Sequence, residues 1–225
     1  MARMFRAFAT NNLCFKSARQ MPGNKPQGIV VHSTGANNPT LKRYVNCPEV
    51  CGENIYRNYY DRPDWEACPH AVIGKDKNGN VSVAQLLPFN ICCWGCGAGK
   101  NGSYNYSPAY IQIEICEDGL TDRAYFQEAF SVAAEFCRQL IKLYNIPVKN
   151  VVSHKEAHAL GYASNHGDPE NWLSRFNKDM DWFRVMLSDP QQYIVTGTKT
   201  VSANNLNATV GQLKALGFTV ETERN

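Results

Sequence analysis

The sequence predicts an α/β protein, because short runs of β-branched and apolar residues alternate with segments of helical periodicity. Two of the predicted strands, residues 28–32 and 151–154, end at a histidine. A third predicted strand, residues 110–116, has a strict alternation that is typical of a half-buried strand. Its isoleucines, Ile111, Ile113 and Ile115, face one side, and Gln112 and Glu114 face the other.

The remaining elements follow in chain order. Residues 71–73 and 81–87 flank the turn dipeptide Asn78-Gly79, which predicts a hairpin. Apolar residues at spacings of three and four predict a helix over residues 121–145, and Pro147 lies just beyond its end. A last helix is predicted from about residue 169 to residue 187, with Asp168 as its N-cap and proline at its first position.

Residues 190–225 predict a small C-terminal β-α-β segment. Residues 193–196 and 218–221 are strand-like, and residues 206–216 are helix-like. So short a segment buries little core on its own and leaves a sheet face and a strand edge uncovered. We therefore predict two parts, residues 1–187 and residues 190–225. The second part either serves attachment or pairs with a second copy as a homodimer, or packs as a simple extension on the first.

The composition of the 225 residues indicates a folded protein. Hydrophobic residues make up 44% and charged residues 19%, so a packed core is expected. The net charge is only +3 and no Lys- and Arg-rich stripe occurs, which argues against nucleic-acid binding, although a mild positive bias suits an anionic polymer. No run of 18 apolar residues predicts a membrane span, and the N-terminus lacks the apolar stretch of a secretory signal. With nine cysteines, the missing signal favours a reduced, cytoplasmic setting over a disulfide framework.

Three residues are candidate metal ligands. His32 and His154 end two separate strands, and Asp168 lies in the sequence His166-Gly167-Asp168-Pro169. A hydrolytic zinc ion takes three protein ligands of these types and keeps one position for a water molecule, whose pKa it lowers to about 7. The alternative is that the histidines are structural residues at strand ends, with their hydrogen bonds satisfied by the fold, and that Asp168 only caps a helix.

Three stretches of the sequence resemble one enzyme family. They are residues 29–34, residues 111–114 and the region from Val152 to Trp172. These stretches resemble the zinc-dependent N-acetylmuramoyl-L-alanine amidases of type 2, a family that includes phage endolysins and is related to the peptidoglycan recognition proteins. The likeness spans about residues 24–187. Its most specific part, from His154 to Trp172, looks closest to endolysins that act on Gram-positive walls.

The resemblance implies a mixed central β-sheet flanked by helices, with zinc in an open cleft. The family's metal ligands, two histidines and a cysteine or aspartate, match His32, His154 and Asp168. Its acidic residue on the central strand matches Glu114, which implies a general base and then acid. His166 matches a position that often carries Lys or His, which implies an oxyanion-stabilising group. The alternatives are that Glu114 is an exposed strand residue and that His166 only shapes the loop.

The sequence also departs from the family pattern. Pro69 precedes His70 where related enzymes often have Tyr, so more of the acid–base role falls on Glu114, and His70 is expected to be structural or groove-lining. Trp94 is followed by Gly95 instead of His, and Trp94 either lines the groove or belongs to the core. Six cysteines either are buried and reduced or form a structural zinc site: Cys47, Cys51, Cys68, Cys92, Cys93 and Cys96.

The sequence thus predicts a zinc (Zn2+) enzyme that hydrolyses the amide between N-acetylmuramic acid and L-alanine in peptidoglycan, as an endolysin. Its expected partner is the peptidoglycan, and no nucleic acid or membrane is expected. It would wait in the cytoplasm of the producing cell and act on the wall after release, with residues 190–225 serving wall attachment or self-association. Three alternatives remain: a non-catalytic peptidoglycan-binding module of the same fold, a zinc hydrolase of another amide, and a scaffold protein in which the cysteines bind metal.

Overall fold

The computed structural model describes residues 3–188, 205–206 and 209–211. The chain divides into two compact units, Met1–Pro190 and Gln191–Asn225. In the second unit, the described residues are helical. The two strands predicted for this unit lie outside the described residues, so the C-terminal β-α-β segment stays a prediction.

A mixed six-stranded sheet forms the centre of the first unit. The strands are Arg3–Arg6 (β1), Ile29–Ser33 (β2), Ala71–Lys75 (β3), Val81–Gln85 (β4), Ile111–Ile115 (β5) and Val151–Ser153 (β6). Their order in the sheet is β1-β4-β3-β5-β2-β6. β3 and β4 are antiparallel and form the predicted hairpin, whereas all other neighbours are parallel. The mixed sheet that the resemblance implied is therefore confirmed.

Six α-helices accompany this sheet in the described residues of the first unit. They are Leu13–Ser17 (α1), Pro48–Cys51 (α2), Arg123–Tyr144 (α3), His154–Ala159 (α4), Glu170–Arg175 (α5) and Met180–Leu187 (α6). α3 begins where the Asp122 carboxylate accepts hydrogen bonds from two backbone N–H groups, and it ends at Asn145 in the left-handed region. Within the described part of the chain, no helix has the length and apolarity needed to cross a membrane.

The main hydrophobic core lies between the sheet and α3. Ile111, Ile113 and Ile115 are fully buried there, together with Phe126 and Phe130 of α3. Truncation of such a buried phenylalanine to alanine typically costs about 3–5 kcal/mol of stability. Because side chains alternate along β5, Gln112 and Glu114 point to the opposite face of the sheet. That opposite face carries the candidate site.

The prediction of one continuous helix over residues 169–187 is wrong. Asn177 adopts a left-handed conformation (φ 55°) and interrupts the helix, and Asp179 caps a new one by accepting a hydrogen bond from the backbone N–H of Trp182. The predicted capping role of Asp168 is also wrong. Pro169 occupies the N-cap position of α5 without a side-chain hydrogen bond. The Asp168 carboxylate turns instead toward two histidines.

Candidate metal centre

Three side chains from separate elements converge on the sheet face opposite α3. His32 lies in β2, His154 begins α4 directly after β6, and Asp168 lies in the loop before α5. β2 and β6 are parallel neighbours, so their carboxyl ends meet at the same edge. A capping box between Ser153 and Glu156 fixes the first turn of α4 and with it the backbone of His154.

The ligand atoms of these residues have the spacing of a zinc site. His32 Nδ1 lies 3.0 Å from His154 Nδ1 and 3.1 Å from Asp168 Oδ2, and His154 Nδ1 lies 3.5 Å from Asp168 Oδ1. Nitrogen and oxygen ligands at about 2.0–2.1 Å from zinc lie about 3.3–3.4 Å apart at the corners of a tetrahedron. The donor set and its spacing therefore fit one zinc ion that keeps a fourth position.

Among the residues that the structure describes, this is the one group of three His, Cys, Asp or Glu side chains that could share a metal, with all ligand atoms within 4.8 Å of one another. The nine cysteines are all free thiols, and eight are buried. No cysteine belongs to a metal-binding group in the described part of the chain, so the alternative of a structural zinc site gains no support.

The charges of the three residues depend on one another. Burial raises the pKa of Asp168, but hydrogen bonds with His154 and His32 outweigh it and hold that pKa well below its usual range. Burial lowers the pKa of His32, but the bond to Asp168 leaves it raised overall. Burial also lowers the pKa of His154, and this effect prevails there. Asp168 is thus anionic, and a cation between the three groups would be stabilised.

Two polar side chains that the sequence did not single out as site residues complete the surroundings of the histidines. Gln112 Oε1 lies 2.7 Å from His32 Nε2, and Ser164 Oγ lies 3.3 Å from His154 Nε2. Gln112 is fully buried and Ser164 is half-buried. The sequence placed Gln112 on the polar face of its strand but carried no signal for its contact with a histidine.

Glu114 lies beside this group, as a register neighbour of His32 on the adjacent strand. Its Oε2 atom is buried and accepts no hydrogen bond from any residue that the structure describes. Burial raises the pKa of Glu114, the neighbouring His32 lowers it, and Asp168 and Glu117 raise it, so that the pKa lies at about 7. A buried carboxylate oxygen without a donor is costly unless a water molecule, substrate or ion meets it. Glu114 is therefore a candidate for holding or transferring a proton.

His166 stands at the rim of the site. Its side chain is 63% exposed, its Nδ1 lies 3.9 Å from Asp168 Oδ1, and its ring centroid lies 4.5 Å from that of His154. His166 is therefore a rim residue beside the candidate ligands and is not part of the group of three that could share a metal.

His70 and Trp94 lie outside the group of candidate metal ligands. His70 is fully buried, and its ring nitrogens contact the Ile91 carbonyl oxygen and the Gln112 backbone N–H, so its role is structural. Trp94 is 42% exposed and packs edge-on against Tyr106, so it does not belong to the core.

The comparison with protein families agrees with this geometry. Residues 22–171 match the Amidase_2 family, which is described as N-acetylmuramoyl-L-alanine amidase. The chain belongs to this family. All five candidate residues, His32, Glu114, His154, His166 and Asp168, lie within the matched segment. The amidase resemblance of the sequence is thereby confirmed.

Curated relatives of this amidase-family protein match over parts of their length. It is 40% identical over 100 residues to CwlH of Bacillus subtilis (strain 168), an N-acetylmuramoyl-L-alanine amidase, covering 40% of this chain and 38% of CwlH. It is 21% identical over 210 residues to protein Ami of Listeria monocytogenes, covering 89% of this chain and 20% of Ami. The chain thus spans well under half the length of these relatives.

Solved structures support the fold. The catalytic domain of XlyA is 25% identical with a TM-score of 0.58, and the alignment covers 83% of this chain and 99% of that domain. PlyL is 23% identical with a TM-score of 0.58, covering 84% of this chain and 98% of PlyL. The amidase-family protein therefore has the sheet and helix arrangement of these domains.

Proposed function

We propose that this protein hydrolyses the amide that joins the lactyl group of N-acetylmuramic acid to the L-alanine of the peptidoglycan stem peptide. One observation carries the proposal. In a chain of the amidase family, the ligand atoms of His32, His154 and Asp168 lie within 4.8 Å of one another beside Glu114, a half-buried residue whose Oε2 atom is buried and unpaired.

We propose further that these three residues hold a zinc ion through Nδ1 of each histidine and a carboxylate oxygen of Asp168. A bound zinc ion would supply Lewis acidity, which polarises a carbonyl group and lowers the pKa of water to about 7. The anionic carboxylate and the two imidazoles leave the site with a net positive charge when the ion is present. That charge favours the oxygen that becomes negative as the amide is attacked.

Glu114 would move the proton. Its unpaired oxygen accepts a proton from the attacking water, and the same carboxyl group then donates that proton to the departing amide nitrogen. Burial favours the neutral carboxyl form and raises the pKa of Glu114 in the metal-free protein, which suits a group that must first accept a proton and then donate it. Without the second transfer the nitrogen would leave as a strongly basic amide anion.

His166 would stabilise the charge that develops on the carbonyl oxygen. Its exposed ring lies next to His154 and could direct an N–H group toward the carbonyl oxygen of a bound substrate. Hydrogen-bond donors aimed at such an oxyanion typically contribute about 100-fold or more in rate.

The biological setting is also a proposal. We propose that the protein acts as an endolysin, held in the cytoplasm of the producing cell until it reaches the wall, and that residues 190–225 attach it to the wall or pair two copies. Support comes from the endolysin-like sequence between His154 and Trp172 and from the apolar residues of the C-terminal segment. Purified protein added from outside is then expected to clear Gram-positive walls.

The decisive experiment identifies the bond that is cut. Purified cell walls are incubated with the zinc-loaded protein, and newly formed N-terminal alanine and reducing sugar ends are both measured. We expect N-terminal alanine without new reducing ends, and Glu114→Gln serves as the inactive control. Reducing ends would indicate a glycosidase, another N-terminal residue would indicate a different amide, and wall binding without any product would indicate a binding module.

A further inference from the structure

One loop of the protein contacts the supports of both metal-binding histidines. We call residues 94–105 the support loop. It lies between β4 and β5 in the chain and packs on the sheet face that carries the candidate metal centre. Backbone carbonyl groups of this loop contact Gln112 and Ser164, the two side chains that meet the outer ring nitrogens of the histidines.

The first contact fixes the orientation of the Gln112 amide. Its Nε2 lies 3.4 Å from the Tyr104 carbonyl oxygen and 3.5 Å from Cys96 Sγ. A carbonyl oxygen can only accept, so the NH2 end of the amide must face Tyr104. The amide oxygen therefore faces His32, and His32 Nε2 must donate the hydrogen bond. In the neutral ring form that this bond favours, His32 Nδ1 carries the lone pair and faces the metal position, although the Asp168 carboxylate, 3.1 Å away, favours a proton on Nδ1 while no metal is bound.

The second contact does the same for His154. The Ser164 hydroxyl donates its one hydrogen to the Cys96 carbonyl oxygen at 3.1 Å. Ser164 Oγ can then only accept from His154, so His154 Nε2 carries the hydrogen and Nδ1 carries the lone pair. Two carbonyl groups of one loop thus select the same ring form at both histidines.

The support loop is itself held in place. Asn105 is 1% exposed; its Oδ1 accepts hydrogen bonds from the N–H groups of Gly95 and Cys96, and its Nδ2 donates to the Gly97 carbonyl oxygen. Gly97 has a φ of 65°, and a Cβ atom there would lie 2.8 Å from Ser164 Oγ. Glycine is therefore needed at this position for the close approach of Ser164.

We propose that the support loop sets the metal-binding ring form of both histidines, with Gln112 and Ser164 as the positioning residues that transmit it. This inference rests on the proposed zinc site and explains how the two histidines are held ready to bind the ion. A histidine held in the wrong ring form must lose a hydrogen bond and move its proton before it can bind a metal. Partners of this kind typically change metal affinity by about 10- to 100-fold.

Zinc affinity tests the proposal on the full-length protein. We expect Gln112→Leu and Ser164→Ala each to raise the zinc dissociation constant by about 10- to 100-fold, measured by competition with a chromophoric chelator. Gln85→Leu is the matched control, because Gln85 is also buried in a strand but bonds to the Leu87 carbonyl oxygen. Its zinc affinity should equal that of the wild type. Unchanged affinity in both site variants would overturn the proposal.

The ring forms are a direct second readout. In the metal-free protein the Asp168 carboxylate competes for the ring proton, because it lies 3.1 Å from His32 Nδ1 and 3.5 Å from His154 Nδ1. Long-range nitrogen–proton NMR spectra at alkaline pH are therefore recorded on the metal-free Asp168→Ala variant, where they distinguish Nδ1–H from Nε2–H. We expect Nε2–H at both histidines in this variant, with loss of this preference at His32 alone when Gln112→Leu is added and at His154 alone when Ser164→Ala is added. An Nδ1–H form at both histidines of Asp168→Ala would overturn the proposal. Should Gln112→Leu fail to fold, Ser164→Ala at a half-buried position carries the test. A wild type that binds no zinc would refute the metal site of the proposed function. The NMR spectra would still show whether the support loop sets the ring form of the two histidines.

Discussion

Protonation of His70 is expected to destabilise the fold as the pH falls. His70 is fully buried; its Nε2 donates to the Ile91 carbonyl oxygen and its Nδ1 accepts from the Gln112 backbone N–H, both at 2.9 Å. Protonation of Nδ1 would replace this hydrogen bond with repulsion between the His70 Nδ1–H and Gln112 backbone N–H groups. Burial lowers the pKa of His70 from 6.5 to about 4, although the bond to Ile91 raises it slightly.

The direction and size of the effect follow from this pKa. Because the folded-state pKa lies below the unfolded value, the unfolded chain binds more protons, and stability falls as the pH drops below about 6.5. Each pKa unit corresponds to about 1.4 kcal/mol, so the full loss below pH 4 is about 3 kcal/mol. By pH 5 about 2 kcal/mol of the free energy of unfolding should already be lost.

The assay is urea unfolding of metal-free protein at several pH values, for the wild type and His70→Gln. Glutamine offers an NH2 group that donates and a carbonyl oxygen that accepts, but it does not titrate. We expect the stability difference between the two proteins to change by about 2 kcal/mol between pH 8 and pH 5. His158→Gln, at an exposed position, is the control for removing a histidine from the chain. Parallel stability curves for wild type and His70→Gln would refute the reasoning.

Three further predictions concern catalysis and the C-terminal unit. Glu114→Gln should keep zinc but lose about 100-fold or more in kcat, because an amide side chain cannot accept and return the proton. Wall-lysis kinetics together with metal analysis measure this, and near wild-type turnover would contradict it. His166→Ala should lower kcat by about 100-fold while the zinc content stays at one per chain, since the role proposed for His166 is a contact with the reacting oxygen and not with the metal. Loss of zinc would instead make it a ligand. Truncation after Leu187 should leave activity on small muropeptides intact but weaken action on whole walls or change the oligomeric state in ultracentrifugation. No change in either would make residues 190–225 a passive tail.

Much of the fold could be predicted from the sequence where periodicity carries the signal. The alternation of residues 110–116 placed three isoleucines in the core and two polar residues on the other face, as observed. The short edge strand Arg3–Arg6 was not predicted, because four mostly exposed residues with no alternation of burial carry no periodic signal. The break between α5 and α6 was missed because Asn177 and Asp179 read as ordinary polar positions of an amphipathic helix.

In the candidate site, too, motif residues could be predicted from the sequence, whereas residues that act through long-range contacts could not. The resemblance named His32, His154 and Asp168, and the structure brings these three residues together. Gln112 and Ser164 could not be assigned, because their roles arise from hydrogen bonds to residues 80 and 10 positions away. A hydrogen-bond network of this kind has no spacing rule in the sequence, and only the packing of the support loop creates it.

Zinc titration of the metal-free protein tests the central claim most directly. Release of N-terminal alanine from cell walls is followed as zinc is added to the wild type and to His32→Ala, His154→Ala and Asp168→Ala. We expect activity to rise to a plateau at one zinc per chain in the wild type, with no tight zinc and no alanine release in the three variants. Alanine release without zinc, or a full equivalent of zinc in all three variants, would contradict the assignment of these residues as the metal ligands of an amidase.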